Sequence, residues 1–465
     1  INDILAYSTN SLYDIYVFFR IPYFINNGYA IPNISFYIFS IIFLIKICLD
    51  TKKIFFVIIL IFSIITFNKL RDFGTVVPSQ LLLILSSCLV YHMYIVKYND
   101  SEFAKLFCLI TFAIILRFNS IIIFPIILIF FILNFYKIFI FLKNFKLYIF
   151  FVLSTFVLFI IKNIIISGCI IYPLYFSCID KLSWSPSNDL TKLKYEKLQA
   201  DSKGWSFYAK EQFNIDNKFV WQNLQKDNFK SVHEYTKTYP TFWLKYWIKD
   251  HDHKKIINLF LVSIFIFFVI LLSNIKKIKI KYNFNKNTSL FFLSILLTSL
   301  FWINVSPQTR YGGFFISIIL FGFITASLLN IFINNNKNWI AIFILFIISI
   351  GYVEIKNIAR ITNDFSSNNN NNFPWPNYQK LNENEDYIVE KLNFFNLQKR
   401  IKTNKLIFDN DGDYLLMCGN IPFPCVPIKK ENCMGKVLKI NSYLFVYKKN
   451  NITECSRLIN NNILY

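Results

Sequence analysis

Three short stretches interrupt an apolar chain with side chains able to do chemistry. "KLRDFGTVVPSQ" carries Arg71 and Asp72, "RFNS" carries Arg117, and "SPQTRYGG" carries Arg310 followed by Gly312 and Gly313. A guanidinium is a planar fork of N–H donors that matches two oxygens of a phosphate. A carboxylate can act as a base, bind sugar hydroxyls or hold a metal. Glycines let backbone N–H groups approach a ligand closely, and a helix starting just beyond them would aim its first N–H groups at the same anion. The plain alternatives are a polar turn at Asp72 and arginines that snorkel to head groups at 117 and 310. No Walker loop, dinucleotide fingerprint, nucleophile elbow or zincin motif is present. "HDH" (His251 to His253) lies among lysines at an apolar boundary without a second ligand pair, so no metal ligands are assigned.

The elements that must position these residues are apolar. Of 465 residues, 55% are hydrophobic, 19% aromatic and only 16% charged, against about 45–50% apolar and 25% charged in soluble chains. Uncharged apolar runs recur, and they predict a mainly α, polytopic helical membrane protein with about ten transmembrane helices. The predicted spans are 34–49, 53–67, 79–96, 103–117, 119–135, 147–167, 256–274, 288–305, 312–333 and 338–354. The net charge of +22 comes from lysines that mostly flank apolar runs. That pattern points to a bilayer surface and not to nucleic acid.

Loop charge sets the expected sidedness. "DTKK", "KYNDSEFAK", "YKIFIFLKNFK", "NIKKIKIKYNFNKN" and "NNNKN" hold thirteen lysines, whereas the short loops around Asp72, Arg117 and Arg310 hold four basic residues. The lysine-rich set is expected in the cytoplasm. Residues 1–33, the Asp72 loop, 168–255, the Arg310 loop and the tail are then expected outside. The predicted organisation is an outer N-terminal segment with six spans (1–167), a large outer loop region with interfacial helices (168–255) and four spans (256–354). A linker (355–378) containing "SSNNNNNFPWPNY" and a small outer α/β domain (379–465) follow.

"NDLTKLKYEKLQADSKGW" predicts a helix starting at Asn188 or Asp189. "YPTFWLKYWIKDHDHKK" interleaves aromatics with lysines and suits either an interfacial helix or the lead-in to the next span. In the tail, "YIVEKLNFFNLQ" looks helical, and "KLIFDN", "YLLMCG", "KVLKI" and "SYLFVY" look like strands. Cys48, Cys88 and Cys108 fall in or beside apolar spans and read as packing residues. Cys169 and Cys178 flank "IIYPLYFS". Cys418, Cys425, Cys433 and Cys455 form the disulfide candidates of the tail, in any of three pairings. Their gaps do not match compact zinc-finger spacing, and no His lies nearby.

Taken in order, "FGTVVPSQLLLIL", "RFNSIIIFPIIL", "SGCIIYPLYFSCIDKLSWSPSN", "SPQTRYGG" and "GDYLLMCGNIPFPCVP" resemble a family of bacterial polytopic membrane proteins. That family is similar to C-type glycosyltransferases, which use polyprenyl-phosphate-linked sugars. The resemblance implies an integral protein of a bacterial inner membrane with its large loops extracytoplasmic. It implies sugar transfer from a lipid-linked donor to a cell-surface glycan or lipid. On the residues themselves, Arg310, Arg117 and Arg71 are the candidates for the lipid phosphate and Asp72 is the candidate for the catalytic acid. The cofactor stays unassigned, with a divalent cation as the candidate. In C-type enzymes the key acid follows the first helix. This sequence begins at Ile1 with "INDILAYSTNSLYDIYVFFR", so that helix and its acid are expected to lie in a missing N-terminal part, and neither Asp3 nor Asp14 is assigned the role. The rival classes are a transporter or flippase of a lipid-linked saccharide and a non-catalytic membrane assembly protein.

Overall fold

The computed structural model describes residues 30–65, 76–182, 188–213, 230–249, 286–332 and 346–356. It also describes single positions between them and four short strands in the tail. It is mainly helical and divides into two compact units. Residues 163–247, with 1–9 and 372–465, form one; 10–162 and 248–371 form the other.

The larger unit is built from α1 (Ala30–Thr51), α2 (Ile54–Ile65), α3 (Val76–Ile95), α4 (Asp100–Leu116), α5 (Phe124–Leu133) and α6 (Phe135–Asn144). The first part of α7 (Lys146–Ser167), α12 (Lys286–Val305) and α13 (Gly313–Phe332) complete it. Helix α3, "VVPSQLLLILSSCLVYHMYI", is apolar all round, and a helix of that kind belongs in the middle of a bundle. It is buried over nearly its whole length and packs on α1, α4, α12 and α13. An aromatic stack closes this core, with Tyr91 4.6 Å from Phe55 and 4.7 Å from Phe291 between ring centroids. Helices α2 and α13 cross closely at Gly322, where an added Cβ would lie 2.5 Å from Ile59 Cδ1. Small residues at such crossings are how apolar helices pack without a hydrophobic drive between them.

Four helices among the described residues are long and apolar enough to cross a membrane: Pro32–Thr51, Val76–Ile95, Lys146–Ser167 and Lys286–Val305. Of the expected ten spans, 34–49, 79–96, 147–167 and 288–305 coincide with these four. Spans 256–274 and 338–354 lie largely outside the described residues. Helix α2 has 12 residues, about 18 Å at 1.5 Å per residue, short of a core about 30 Å thick. Helix α4 begins with Asp100 and Glu102, and the apolar part of α13, Gly313–Ser327, is also short. The expected 119–135 span coincides with the segment Phe118–Leu133, which ends at the bend. A 3-10 turn, Phe118–Ile123, leads into α5, which carries Pro125 in its first turn. At Asn134 the chain bends by 90° into α6. The stretch "YKIFIFLKN", expected as a loop, is that helix.

The smaller unit holds α8 (Asn188–Ser202), α9 (Trp205–Phe213), α10 (Val232–Thr236) and α11 (Pro240–Trp247). Helix α8 starts where the sequence predicted. Its core is aromatic: Tyr208 lies 5.0 Å from Tyr235 and 5.3 Å from Tyr246, and Trp205 lies 5.1 Å from Tyr235. The aromatics of "YPTFWLKYW" were expected either at the bilayer interface or in the lead-in to the next span. Trp243 and Tyr246 face inward and are buried. Gly204, at φ +87°, lets α11 come close, because a Cβ there would lie 2.8 Å from Trp247 N.

In the tail, β1 (Tyr387–Leu392) pairs antiparallel with β2 (Leu397–Lys402), and β3 (Val437–Ile440) with β4 (Tyr443–Val446). "KVLKI" and "SYLFVY" are strands as read, but "YIVEKLNFFNLQ" is a hairpin and not a helix. Its β-branched Ile388 and Val389 favour a strand. The described tail residues thus show two separate hairpins without a helix, which does not support the expected α/β domain. "KLIFDN", "YLLMCG" and all four tail cysteines lie outside the described residues.

Candidate functional site

The SPQTRYGG loop follows α12, which ends at Val305 ahead of Pro307. A 3-10 turn over Thr309–Tyr311 leads to Gly312 in the left-handed region, at φ +99°. The Gln308 carbonyl gathers three donors: Trp302 Nε1 at 3.1 Å, Tyr311 N at 3.0 Å and Gly313 N at 3.3 Å. The sequence reading gave the two glycines to a ligand. The structure gives them to packing: a Cβ on Gly312 would lie 2.8 Å from Ile122 Cγ2, and one on Gly313 2.5 Å from Trp302 Cζ2.

A residue that the sequence reading passed over holds this loop. Gln80 of α3 is only 2% exposed. Its Nε2 donates to the Thr309 carbonyl at 3.0 Å and to the Arg310 carbonyl at 3.3 Å, and its Oε1 accepts from Phe315 N at 2.8 Å. Both amide atoms are used, as a buried amide requires if burial is not to cost stability. Its signal in the sequence is a lone amide inside a long apolar run, "VVPSQLLLIL". The first turn of α13 is accordingly occupied by protein. Gly313 N donates to Gln308, Phe315 N to Gln80 and Ile316 N to the Gly312 carbonyl. The expectation that these N–H groups aim at an anion is therefore corrected, and the charge available to a ligand here is that of side chains. Within this loop, Gln308 Oε1 is buried and has no hydrogen-bond partner.

The structure brings two of the predicted arginines together. Arg117 ends α4 in an extended conformation, at φ −157° and ψ 115°, before the 3-10 turn to α5. Its Cζ lies 5.2 Å from the Tyr311 ring centroid, and the Cζ of Arg310 lies 5.8 Å from the same centroid. Arg310 is exposed and Arg117 half-buried. Two guanidinium groups 193 positions apart thus share one aromatic ring, each at cation–π distance. Arg71 and Asp72 fall outside the described residues, as do Asp3 and Asp14. Among the described residues no group of three or more His, Cys, Asp or Glu side chains is placed to hold a metal ion.

The "SGCIIYPLYFSC" stretch is a closed loop. Cys169 and Cys178 form a disulfide, a pairing the sequence reading left unassigned. Gly168, at φ +70°, ends α7, and its carbonyl accepts from Ile179 N at 2.8 Å. Ser177 Oγ donates to the Ile171 and Leu174 carbonyls at 2.8 Å each and accepts from Ile171 N. Asn163 Nδ2 donates to the Ile170 carbonyl at 2.9 Å. The polar groups of the loop thus serve its own closure, and its cysteines are not nucleophiles.

Elsewhere in the smaller unit the titratable groups are shifted by their surroundings. Burial pushes the Lys203 ammonium below its usual value, and its Nζ donates to the Thr236 carbonyl. Burial, and then nearby Tyr246, push the Tyr235 phenol up. The Ser231 N–H and hydroxyl beside Glu234 hold that carboxyl below its usual range. His233 Nδ1 and Glu196 meet at 2.8 Å on an exposed surface. These arrangements are structural, since each partner is protein.

Apolar helices of spanning length mark a helical membrane protein, and two of its arginines meet on Tyr311 beside the α12–α13 loop. The chain belongs to the family described as Domain of unknown function (DUF8201), whose model matches residues 6–226 and 215–317. Gln80, Arg117, Arg310 and the disulfide loop all lie within the matched residues. No curated protein and no solved structure matches the chain.

Proposed function

We propose that the protein is a membrane glycosyltransferase that takes a sugar from a polyprenyl-phosphate carrier and adds it to a cell-surface glycan or lipid. The supporting observation is the meeting of Arg117 and Arg310 on Tyr311, in a unit that contains helices of spanning length. A lipid-phosphate donor needs an apolar surface for its tail and cations for its phosphate. Two guanidinium forks fit phosphate oxygens better than two ammonium groups would. Asp72, with Arg71 beside it, is the proposed acid, and a divalent cation is the proposed cofactor. The site faces outward from a bacterial inner membrane, as the lysine-rich loops on the opposite side imply.

The deciding experiment is transfer of radiolabelled sugar from polyprenyl-phosphate donors in proteoliposomes. Arg310→Ala should weaken donor binding by roughly ten- to a hundred-fold, the loss typical of one charged hydrogen-bonding contact. Arg310→Lys should restore part of it. Donor affinity unchanged in Arg310→Ala ends the reading.

The transporter reading has one observation in its favour, the 90° break between α5 and α6. Broken helices are a hallmark of transport folds. Movement of a fluorescent lipid-linked sugar across the bilayer, without transfer of its sugar, would select that class.

A further inference from the structure

The bend at Asn134 leaves a helix whose place neither the spans nor the arginine site explains. Helix α6 runs at 90° to the α5 segment. One side of it is packed: Ile138 and Phe141 are buried, and Phe141 sits 4.9 Å from Phe103 and 4.7 Å from Phe145. Another side is bare and apolar, with Phe135 70%, Tyr136 75% and Phe139 59% exposed. Lys137 and Lys143 stand among these residues and are exposed.

The position of α6 gives that surface its setting. Lys137 Nζ lies 5.5 Å from the ring of Tyr98, in the α3–α4 connection. Asn287, at the start of α12, donates to the Tyr94 carbonyl at 2.9 Å. Phe55, at the start of α2, lies against Tyr91. One end of the unit therefore collects exposed Lys52, Lys53, Lys97, Lys137, Lys143 and Lys146. The acids there are fewer. They are Asp50, Asp100 and Glu102, and Glu102 is paired with Lys105 at 2.6 Å. Helix α5 packs on α12, a helix of spanning length, and α6 turns away from α5 by 90°; a helix turned across the spanning direction lies along the bilayer surface. Aromatic and aliphatic groups interleaved with lysine are what that boundary accepts, and the lysines match anionic head groups.

We propose that α6 is an interfacial helix that docks on the anionic leaflet at the lysine-rich end of the unit, with Phe135, Tyr136 and Phe139 inserted among the acyl-chain roots. It is then neither half of a span nor a contact for another protein. The inference is independent of the glycosyltransferase reading and holds for a transporter equally.

The full chain is reconstituted in phosphatidylcholine–phosphatidylglycerol vesicles carrying bromines at shallow or deep acyl positions. Emission of Phe139→Trp is measured as the difference from wild type, and Tyr136→Trp serves as a second reporter should the first variant fold poorly. Stronger quenching by shallow than by deep bromines is expected, with little quenching by aqueous acrylamide. Replacing Lys137 and Lys143 by Gln should lower the docked-to-undocked ratio by roughly fivefold per lysine, and omitting phosphatidylglycerol should do the same. Deep quenching that exceeds shallow quenching makes α6 part of a span and overturns the proposal. Quenching by acrylamide and not by bromines places it in water or under protein and also overturns it. Quenching that is the same with and without phosphatidylglycerol refutes the anionic partner.

Discussion

The loops 306–313 and 168–179 each follow an apolar helix, and each uses a glycine at positive φ. They are held by opposite means. The 168–179 loop is closed from within by the Cys169–Cys178 bridge, by Ser177 and by Asn163, all within 15 or so positions. The 306–313 loop is held by Gln80, 229 positions away, and its arginine meets another, Arg117, contributed by a third segment. A locally closed loop keeps its shape whenever its own bonds form. A remotely held loop keeps its shape only when the helices around it are packed. The difference suits a difference of task, because a charged side chain on a remotely held loop can be aimed by the whole bundle.

The largest expected effect tests this contrast at Gln80. Gln80→Leu removes the buried bonds to the Thr309 carbonyl and the Phe315 N–H and the part-buried bond to the Arg310 carbonyl. A lost partner of a buried group costs about 1–3 kcal/mol, so the local stability of 309–316 should fall by about 3 kcal/mol. Amide exchange in that segment should then rise by two orders of magnitude or more, while exchange in 168–179 stays as in wild type. Gln80→Glu should fall between, since a carboxylate accepts from Phe315 N–H but cannot donate to the two carbonyls.

The converse experiment removes the bridge. Cys169→Ser with Cys178→Ser frees a loop of 9 positions' separation. The chain-entropy estimate for such a loop is about 2–3 kcal/mol. Exchange should speed up in 168–179 and leave 309–316 unchanged. Acceleration of both segments by either change would break the comparison. A smaller effect is expected at the shared ring. Tyr311→Leu keeps the loop but removes both cation–π contacts, worth about 0.5–1 kcal/mol each at exposed sites. It should weaken donor binding less than Arg310→Ala does.

This contrast also explains what was legible in the sequence. Local patterns read well: the start of α8, the apolar character of α3, the tight turn at Arg117 and the α12–α13 junction at Pro307. The pairing of Arg117 with Arg310 was legible only as two arginines in loops predicted on one side. Gln80 was invisible because its role depends on a carbonyl 229 positions away. Helix α6 was missed because its lysines made the stretch after 135 read as a loop; Asn134, whose Nδ2 donates to the Phe130 carbonyl, marks the bend. An apolar run is also not always a span. Hydrophobicity measures what can be buried in lipid or in protein alike, and α2 is largely buried in protein.

The smallest expected effect sharpens the contrast by pH. In the smaller unit, helix α10 is started by a capping box: Ser231 Oγ accepts from Glu234 N, and Glu234 Oε2 accepts from Ser231 N at 2.8 Å. The carboxylate form makes that second bond best, so the folded pKa of Glu234 lies below the unfolded one. Its contribution is therefore complete above the unfolded value, about 4.3, and is lost as pH falls through the folded value. In the larger unit, the Gln80 amide has no titration in this range. Between neutral pH and about pH 3, opening of 231–236 should increase once rates are corrected for intrinsic exchange. Opening of 309–316 should not. Glu234→Gln should flatten the response of 231–236, because its amide keeps the same weaker bond at every pH. A response that persists in Glu234→Gln would assign the sensitivity to another group, and an equal response in 309–316 would show that its anchoring is not the uncharged amide.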